Sequence, residues 1–470
     1  MKPVIVVGKA RVFQGDCREV LRGLPDNSVD SVVTDPPYEL GFMGKKWDGT
    51  GIAYDVTVWV ECLRVLKPGG HILAFGGSRT FHRMAVAIED AGFEIRDSIA
   101  WMYGTGFPKS RDVSKAIDKG MGEYEKRVVT GTKITGAAMS GKPSGEDLGT
   151  GGTSLGSGTN EVPITSPYTP EAKQWDGWGT ALKPAHEPIV VGRKPFAKGS
   201  TVAANVLEWG VGGLNIDASR IGTSGGTKIA DDDIKVSRES KSVNAYGDGL
   251  QGPFGKPIVG LGRWPANVIL DEYSAGLLDE QSGVSVSRAG VQPKFGRSGG
   301  IMGVKMPRHD AGTPFGHSDT GGASRFFYVA KANKRDRNEG LDGLEVVPAA
   351  AMAGNLVDGQ RKGGDGSDIK TPTRQNFHPT VKPTALMRYL IKLVTPAGGT
   401  VLDPFTGSGS TGKAALLDGY KFVGVELTEE YLPIIEGRLR WANEQERETD
   451  WTLFSLSGTE TAGGSEEVEQ

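Results

Sequence analysis

Two clusters of residues carry side chains and backbone geometry suited to chemistry at a nitrogen atom. The first spans residues 31–38, Ser-Val-Val-Thr-Asp-Pro-Pro-Tyr, where a short apolar run ends in a carboxylate, two prolines and an aromatic ring. Pro36 and Pro37 fix their backbone angles and lack N–H groups, so carbonyl oxygens and Asp35 remain as acceptors in a rigid arc. Beside the flat face of Tyr38, these acceptors suit the exocyclic amine of a nucleobase.

Such an amine is a poor nucleophile because its lone pair is delocalised into the ring. Acceptors that hold its hydrogens favour a pyramidal nitrogen, whose lone pair can attack a methyl group in line. Positive charge then develops on the nitrogen, and Asp35 is expected to stabilise it without acting as a strong base. For this segment alone, an exposed Asp before a Pro-Pro turn is the competing interpretation.

The second cluster is a glycine loop at residues 401–413, VLDPFTGSGSTGK, where a strand is expected to enter and a helix to follow. The run from Gly407 to Gly412 matches the dinucleotide pattern G-x-G-x-x-G, and Glu426 lies at the end of the next predicted strand. The same run matches a nucleotide-triphosphate loop until its last position, where Ala414 replaces the Ser or Thr that would hold magnesium.

S-adenosylmethionine is the third candidate for this loop, because it has no phosphates and needs no basic cradle. Its sulfonium and amine are cationic, which suits Asp403, and its ribose hydroxyls suit Glu426 as a double acceptor. Its carboxylate suits exposed amides or a helix N-terminus. A glycine pattern alone is also compatible with a tight strand-to-helix turn without a ligand.

Predicted strands and helices alternate at both ends of the chain, where the two clusters lie. Short β runs between helices predict a parallel sheet of the α/β class. The N-terminal half predicts strands at 4–7, 31–34 and 71–75 and helices at 55–66 and 79–91. The C-terminal half predicts helices at 384–394, 410–418 and 429–444 and strands at 400–402 and 421–425.

The middle of the chain separates these two α/β segments. We predict a catalytic half at 1–129, a flexible Gly/Ser/Thr-rich loop at 130–174, remaining catalytic-half strands at 175–215, an inserted region at 216–375, a cofactor-binding half at 376–441 and an acidic disordered tail at 442–470. About 200 residues of inserted material are too long for a plain connection, so a specific role is expected for them.

Composition limits the class of protein. The chain has 470 residues with 70 Gly and only two Cys, which excludes a disulfide framework and a Cys-rich zinc site. No apolar run approaches a membrane span or a signal-peptide core, so a cytoplasmic protein without a metal site is expected.

The formal charge of −3 hides a net +5 over residues 291–340 and a net −7 over residues 442–470. This fits a polyanion binder, or an ordinary surface with a solvated end.

Four stretches together resemble the S-adenosylmethionine-dependent amino-group DNA methyltransferases, in the β-type motif order. They are Gly15-Asp16-Cys17 with LPDNSVDSVVTDPPY, the run KPAHEPIVVGRK at 183–194, HPTVKP at 378–383, and DPFTGSGSTG at 403–412 with Glu426. The resemblance implies a circularly permuted, Rossmann-like methyltransferase sheet whose large insertion recognises the target. By position, it implies that the target base is held by Asp35, Pro36, Pro37 and Tyr38, and the cofactor by Asp16, Thr380, Lys382, Asp403, Phe405, Gly407, Gly409 and Glu426.

The resemblance also implies double-stranded DNA as the partner, with a base flipped into the pocket, and a homodimer is possible. The Asp-Pro-Pro-Tyr form favours adenine N6, with cytosine N4, an RNA or protein-amide substrate, and DNA binding without catalysis as alternatives. Cytosine C5 methylation is a different chemistry that needs a thiolate nucleophile, and its usual Pro-Cys site is absent because neither Cys17 nor Cys62 follows a proline. Candidate phosphate contacts in the insertion are Arg297, Lys305, Arg308, Arg325, Lys331, Lys334, Arg335 and Arg337. Trp175 and Trp178 are expected to be core or loop anchors, with base stacking as the alternative.

Overall fold

A computed structural model of the chain describes most residues of both α/β segments. The described residues are 2–41, 47–104, 106, 110–135, 160–222, 262–287, 290–291, 314–315, 319–331, 335–348, 361–362, 368–369 and 373–457. They divide into two compact units. The first unit consists of Met1–Gly213 with Lys331–Gln470, and the second is Leu214–Ala330.

The first unit is built on a mixed sheet to which both ends of the chain contribute. Within the described residues its strands are β1 (Ile5–Val7), β2 (Ala10–Gln14), β3 (Val29–Thr34), β4 (Leu66–Phe75), β5 (Glu94–Met102), β8 (His186–Arg193), β11 (Thr400–Asp403) and β12 (Lys421–Glu426), while β6 (Val128–Thr135) and β7 (Asn160–Ser166) form a separate antiparallel pair. Their order in the sheet is β1-β2-β12-β11-β3-β4-β8-β5. The C-terminal strands lie between β2 and β3, which confirms the predicted permuted α/β sheet.

Strand direction decides where functional side chains can meet. Strands β2, β12, β11, β3 and β4 pair in parallel, whereas β8 runs antiparallel to β4. The carboxyl ends of the parallel strands and the first residues of β8 therefore share one edge of the sheet, where ligands bind in open α/β folds. This edge carries both clusters identified in the sequence.

The helices of the first unit are α1 (Cys17–Arg22), α2 (Val56–Val65), α3 (Phe81–Asp90), α4 (Val113–Gly120), α5 (Pro170–Gln174), α6 (Val202–Trp209), α8 (Thr384–Val394), α9 (Ser410–Leu417) and α10 (Leu432–Ser457). Asp16 caps α1 and Asp55 caps α2 by accepting backbone N–H bonds in the first turn. Trp59 is fully buried in the core between these helices and the sheet, and its indole N–H donates to the Ala53 carbonyl at 3.0 Å.

The region predicted as a flexible loop, 130–174, contains regular structure at both ends. Strands β6 and β7 pair from Val128↔Ser166 to Thr135↔Asn160, and α5 follows them. β-branched residues recur along both strands, and they favour pairing over a solvated coil. Residues 136–159, the most glycine-rich part of the prediction, lie outside the described residues.

The second unit is shorter than the predicted insertion at 216–375. It contains β9 (Val268–Asp271), α7 (Glu272–Ser282) and β10 (Tyr328–Ala330), and β9 and β10 pair in parallel. Other strands in the described parts of 285–374 have two residues each, and they pair as Ser285–Val286 with Thr320–Gly321, Gly290–Val291 with Pro314–Phe315, Val347–Pro348 with Thr373–Arg374, and Arg361–Lys362 with Asp368–Ile369.

Residues after Lys331 belong to the first unit because buried charges tie them to its helices. The ammonium of Lys413 on α9 is fully buried and lies 2.8 Å from Asp336 and 2.7 Å from Glu339. Asp336 also accepts the backbone N–H of Thr384 at 2.7 Å, at the start of α8. The Arg337 guanidinium donates to the carbonyls of Asn376 and His378.

The segment predicted as an acidic tail, 442–470, begins inside a helix. Helix α10 continues to Ser457, since the composition of 442–457 is rich in strong helix formers. Residues 458–470 lie outside the described part of the chain. None of the helices that the structure describes has the length and apolar character needed to cross a membrane.

Asp336→Ala should destabilise the first unit strongly, because it removes a partner from a buried ammonium. The expected loss is about 3–5 kcal/mol of unfolding free energy, the usual cost of breaking a buried ion pair. In the wild-type protein, Lys413 and the hydrogen bonds to the Asp336 carboxylate outweigh the opposing effect of burial and lower the pKa of Asp336. The difference in unfolding free energy between wild type and Asp336→Ala should therefore shrink as pH falls below the ordinary Asp range.

Urea unfolding at pH 7.5 and at pH 3.5 measures both effects. Glu436→Ala on α10 is the matched control, because its pair with Arg440 is half exposed, and it should cost about 0–1 kcal/mol. Equal losses for the two variants would contradict a structural role for the buried pair.

Candidate active site at the carboxyl edge of the sheet

One hydrogen bond joins the two clusters identified in the sequence. The hydroxyl of Thr34, the last residue of β3, donates to Asp403 Oδ1 at 2.7 Å, and Asp403 ends the neighbouring strand β11. β3 and β11 pair in parallel with Val401 opposite Ser31. The Asp-Pro-Pro-Tyr segment and the glycine loop therefore leave the sheet side by side.

Asp35 lies in a cluster that includes a lysine and a second carboxylate, and we call Asp35, Tyr38, Glu187 and Lys382 the carboxylate–lysine cluster. The Lys382 ammonium lies 2.7 Å from Asp35 Oδ2, 3.2 Å from the Tyr38 hydroxyl and 3.4 Å from Glu187 Oε2. The Tyr38 hydroxyl donates to Glu187 Oε2 at 2.7 Å. Glu187 enters the cluster because antiparallel β8 begins at this edge.

The electrostatics of the cluster keep its lysine charged and its tyrosine neutral. Burial alone would lower the pKa of Lys382, but Asp35 and Glu187 outweigh it and raise that pKa. Burial, with the charges of Asp35 and Glu187, raises the pKa of Tyr38 well above its usual value. The Lys382 ammonium also lies 5.0 Å from the centre of the Phe75 ring, a cation–π distance.

The second oxygen of Asp35 is the unusual atom of the cluster. Asp35 Oδ1 is buried and has no hydrogen-bond partner among the residues that the structure describes. A buried carboxylate oxygen without a donor costs free energy. Pro36 and Pro37 follow it directly and cannot supply a backbone N–H. The arrangement therefore presents an acceptor that an incoming donor would satisfy.

The glycine loop turns beside Glu426 at the end of β12. The Gly407 N–H donates to Glu426 Oε2 at 2.7 Å, and the Thr428 N–H donates to Oε1 at 2.8 Å. Gly407 and Gly409 have φ of +53° and +76°, the left-handed region that favours glycine. Burial raises the pKa of Glu426 to about 7. Each carboxylate oxygen has a further lone pair for a ligand hydroxyl.

Asp403 is almost completely buried, with 1 % of its surface exposed. Besides Thr34, it accepts the Phe405 N–H at 3.1 Å and the Thr411 hydroxyl at 2.6 Å. Burial raises the pKa of Asp403 to about 6, with a contribution from the Asp35 charge, although the hydrogen bonds act in the opposite direction. A cation placed next to Asp403 would relieve the cost of its ionised form.

His378 in HPTVKP packs on the glycine loop. A Cβ at Gly407 would lie 3.0 Å from His378 Nε2, and Trp47 stacks on the imidazole at 6.3 Å between ring centres. Burial lowers the pKa of His378 to about 3, so the ring is neutral. Thr380 is exposed, and its carbonyl contacts His378 Nδ1.

The structure brings most of the predicted site residues to one edge and places two of them differently from the expectation. Lys382, expected beside the cofactor, contacts Asp35. Asp16 is used within α1, where it accepts from the Arg18 backbone N–H at 2.8 Å and from the Arg18 side chain. The Gly15 N–H still donates to the Glu426 carbonyl at 3.0 Å, which places Asp16 near the loop.

Sequence reasoning missed Glu187, Thr34 and Thr411 as site residues. Glu187 lies within a stretch that carried the family resemblance, but nothing in its spacing predicts an antiparallel strand starting beside Tyr38. The two threonines are short polar residues inside or next to the recognised motifs. Their role follows from strand register, which a pattern does not encode.

The remaining candidates from the sequence are the basic residues proposed as phosphate contacts and two tryptophans. Arg325 is buried in the second unit and donates to the Gly321 and Gly322 carbonyls, and Arg337 is used as described above. Trp175 and Trp178 are 40 % and 59 % exposed and contact each other edge to face, so they are not core residues, and their role as loop anchors stays a prediction. Arg297, Lys305, Arg308 and Lys334 lie outside the described residues, and Lys331 and Arg335 are exposed.

Neither cysteine is a poised nucleophile. Cys17 and Cys62 are both buried, and burial raises the pKa of the Cys17 thiol to about 12 and that of Cys62 well above its usual value. A thiolate is the reactive form. Among the described residues no group of His, Cys, Asp and Glu side chains is arranged to hold a metal ion.

Comparison with known proteins gives a family match over most of the chain. A family model described as DNA methylase, of the N6/N4 class, matches residues 29–437. The chain is 45 % identical over 67 residues to the type II methyltransferase M2.DpnII of Streptococcus pneumoniae, which is 14 % of this chain and 25 % of that protein. It is 47 % identical over 55 residues to the DNA adenine methyltransferase YhdJ of Escherichia coli K12, 12 % of this chain and 19 % of that protein.

The matched segments thus span a quarter or less of these curated relatives. Among solved structures, the chain is similar to the PvuII DNA methyltransferase, described as cytosine-N4-specific, with a TM-score of 0.39 and 13 % identity. That alignment covers 97 % of this chain and 96 % of the other.

Asp403→Asn should make the free protein more stable at alkaline pH. The folded state raises the pKa of Asp403 to about 6, so holding this side chain ionised costs about 1–3 kcal/mol above neutral pH. Removing the charge removes that cost. The gain should be largest near pH 8 and should vanish as pH falls towards 4, where the wild-type side chain is protonated in the folded state and becomes so in the unfolded state.

Urea unfolding at pH 8, 6 and 4 measures this difference. Asp26→Asn, at an exposed carboxylate paired with Arg64, is the control and should show no such gain. A loss of stability at pH 8 for Asp403→Asn would mean that its hydrogen bonds outweigh the burial of its charge.

Proposed function

We propose that this chain, which belongs to the DNA methylases of the N6/N4 class, transfers a methyl group from S-adenosylmethionine to the exocyclic amine of a base in double-stranded DNA, at adenine N6. The observation that carries the proposal is Asp35 Oδ1, a buried acceptor without a partner among the described residues, next to two prolines and an aromatic ring. An amine with two hydrogens satisfies this oxygen and a neighbouring proline carbonyl together.

The reaction needs a nitrogen that gains positive charge as it attacks the methyl group. Asp35 accepts one N–H of the amine, and a carbonyl of the Asp-Pro-Pro segment accepts the other. These bonds hold the nitrogen with its lone pair free, and they strengthen as its hydrogens become more acidic. Because a base inside a duplex cannot reach this arc, it must rotate out of the stack and lie against Tyr38.

The cofactor side of the site fits the donor by chemistry. S-adenosylmethionine supplies an electrophilic methyl group on a positively charged sulfur. Asp403 would face the cationic methionine part beside Gly407 and Gly409, and Glu426 would accept the ribose hydroxyls through its free lone pairs. The raised pKa values of both carboxyls, about 6 and about 7, fit sites that await a cation or hydroxyl donors. Asp16, Phe405 and Thr380 would be the further contacts to the cofactor.

Adenine is the preferred base because the first residue of the motif is Asp, and because a matched relative, YhdJ, is named as a DNA adenine methyltransferase. Cytosine N4 is the second candidate, since the same arc of acceptors would hold that amine. The raised pKa of both buried thiols argues against cytosine C5 chemistry, which needs a thiolate.

Recognition of the DNA sequence is proposed for the inserted region 216–375. Its composition from 291 to 340 is basic, and phosphate contacts by Lys and Arg supply affinity, while a few contacts to base edges supply specificity. In the described part of this region, Lys331 and Arg335 remain exposed candidates for such contacts.

Product analysis tests the target atom directly. Purified protein is incubated with tritiated S-adenosylmethionine and genomic DNA that lacks methylated bases, and the DNA is then digested to nucleosides. We expect the label in N6-methyladenine. Label in N4-methylcytosine would leave the enzyme class intact and overturn the base. Parallel reactions contain RNA or protein in place of DNA. Label in RNA or protein only, or no transfer at all, would overturn the proposal.

Mutations should separate the two halves of the site. Asp35→Ala should retain cofactor binding but lower single-turnover methylation by about 10²–10³-fold, the scale for losing one transition-state stabiliser. Glu426→Ala should chiefly weaken cofactor affinity, with the rate partly restored at high cofactor concentration. Asp90→Ala on α3, an exposed carboxylate far along the chain from both clusters, is the control and should change neither quantity.

Isothermal titration of the cofactor and rapid-quench methylation give the two readouts. Methylation by Asp35→Ala at near wild-type rate would show that the Asp-Pro-Pro-Tyr segment is a structural turn.

A further inference from the structure

Glu187 is a partly buried carboxylate that the proposed reaction has not used. It stands at the second position of β8, where its Oε2 accepts the Tyr38 hydroxyl at 2.7 Å and lies 3.4 Å from the Lys382 ammonium. Its side chain is 18 % exposed, and that of Lys382 is 7 % exposed. Removing a carboxylate from water costs free energy, so the position of Glu187 within the carboxylate–lysine cluster calls for a function.

The charge balance of the cluster indicates that function. Asp35 and Glu187 carry two negative charges and Lys382 carries one positive charge, so the cluster has one net negative charge. Without Glu187, the Lys382 ammonium would neutralise Asp35, and the pocket would present no net charge to an amine that becomes cationic. Without Lys382, two carboxylates would lie together unbalanced, which favours protonation of one of them.

Glu187 has a second effect, because its hydrogen bond fixes the position of the Tyr38 ring. The Tyr38 ring is held at its hydroxyl by Glu187 and at its backbone by Thr80, whose hydroxyl donates to the Tyr38 carbonyl at 2.8 Å. A ring fixed at both ends offers a preorganised face for stacking, which reduces the entropy lost when the base enters. Lys382 meanwhile uses Asp35 Oδ2 and leaves Oδ1 for the amine.

We propose that Glu187 is a positioning residue for methyl transfer, which fixes the Tyr38 ring and shares the Lys382 ammonium so that Asp35 keeps an effective negative charge. This inference rests on the proposed function, and it adds a residue whose role no motif assigns. The two carboxylates and the lysine then act together, because the net charge that the amine meets depends on all three groups.

Other titratable groups face the cluster and must be held constant in any test. Asp403 on β11 lies close enough to feel the Asp35 charge. The charges of Glu187 and Lys382 affect the pKa of Tyr103, just after β5, and the charge of Lys382 affects the pKa of His378. None of these three is altered in the variants below, so differences between variants report on the cluster.

The experiment compares Glu187→Gln, Lys382→Met and the double variant, with His186→Gln as the matched control. Gln at 187 keeps an acceptor for the Tyr38 hydroxyl and removes the charge. His186 is the exposed neighbour on the same strand. Single-turnover methylation is measured from pH 5 to pH 9 with saturating cofactor, and cofactor affinity is measured by isothermal titration.

Glu187→Gln should lower the maximal rate by about 10- to 100-fold with cofactor affinity within twofold of wild type. The acid limb of its pH–rate profile should move to lower pH, because a negative neighbour of Asp35 is gone. Lys382→Met should move the acid limb to higher pH, and the double variant should move it back. A purely structural role would not produce these opposite shifts. His186→Gln should match wild type.

A wild-type rate and profile in Glu187→Gln would overturn the proposal, and so would a loss of rate with an acid limb that does not move in any variant. Thermal unfolding of the same proteins gives a readout that needs no methylation. The destabilisation of Lys382→Met relative to wild type should grow from pH 5 to pH 8, and adding Glu187→Gln should relieve part of it. If wild type transfers no methyl group while this stability pattern holds, the proposed function fails and the charge coupling stands; if the pattern is absent, the coupling fails.

Discussion

The removal of four carboxylates from most of their contact with water, at one edge of a sheet, is the constraint on which the rest of the site depends. Glu426, Asp403 and Asp35 lie at the ends of the adjacent strands β12, β11 and β3 or just after them, because parallel pairing aligns carboxyl ends. Glu187 lies at the same edge because antiparallel β8, on the far side of β4, begins there. A carboxylate removed from water must be paired, hydrogen-bonded or protonated. The four carboxylates meet this requirement in two ways, and the difference separates two pairs with different proposed functions.

Asp403 and Glu426 accept hydroxyl and backbone donors and form no ion pair with any residue that the structure describes, and burial raises their pKa values. Asp35 and Glu187 share the Lys382 ammonium instead. The first pair therefore favours a ligand that brings positive charge or hydroxyl groups, and the second favours a substrate that acquires positive charge during reaction. The Thr34–Asp403 hydrogen bond keeps the two pairs side by side. Behind the glycine loop, Arg438 donates to the Ser408 carbonyl at 2.7 Å and supports the turn from within the fold.

Much of this arrangement follows from the sequence. The Asp-Pro-Pro-Tyr segment, the glycine loop and Glu426 predict the two binding functions, and the alternation at both ends of the chain predicts a sheet built from both. Lys382 and Glu187 could not be placed, because their meeting with Asp35 depends on where β8 starts and on the path of residues 376–383. Strand β6 and the extension of α10 to Ser457 were not predicted, because the glycine-rich and acidic compositions of these segments conceal their local β and helix propensity. Residues 331–348 join the first unit through contacts of Asp336 and Arg337 that are distant in sequence.

In the proposed reaction, the cationic methyl donor binds at the two carboxyl groups of the glycine loop whose pKa values are raised, Asp403 and Glu426. Calorimetric titration of S-adenosylmethionine at pH 6.5, in two buffers that differ in ionisation enthalpy, tests this most directly. If binding stabilises the ionised carboxylates, protons leave the protein, and the apparent enthalpy depends on the buffer in the direction of proton release. The dependence should become smaller in Glu426→Gln. Binding of the cofactor with the same enthalpy in both buffers, or with proton uptake, would show that these two carboxyl groups do not receive the donor.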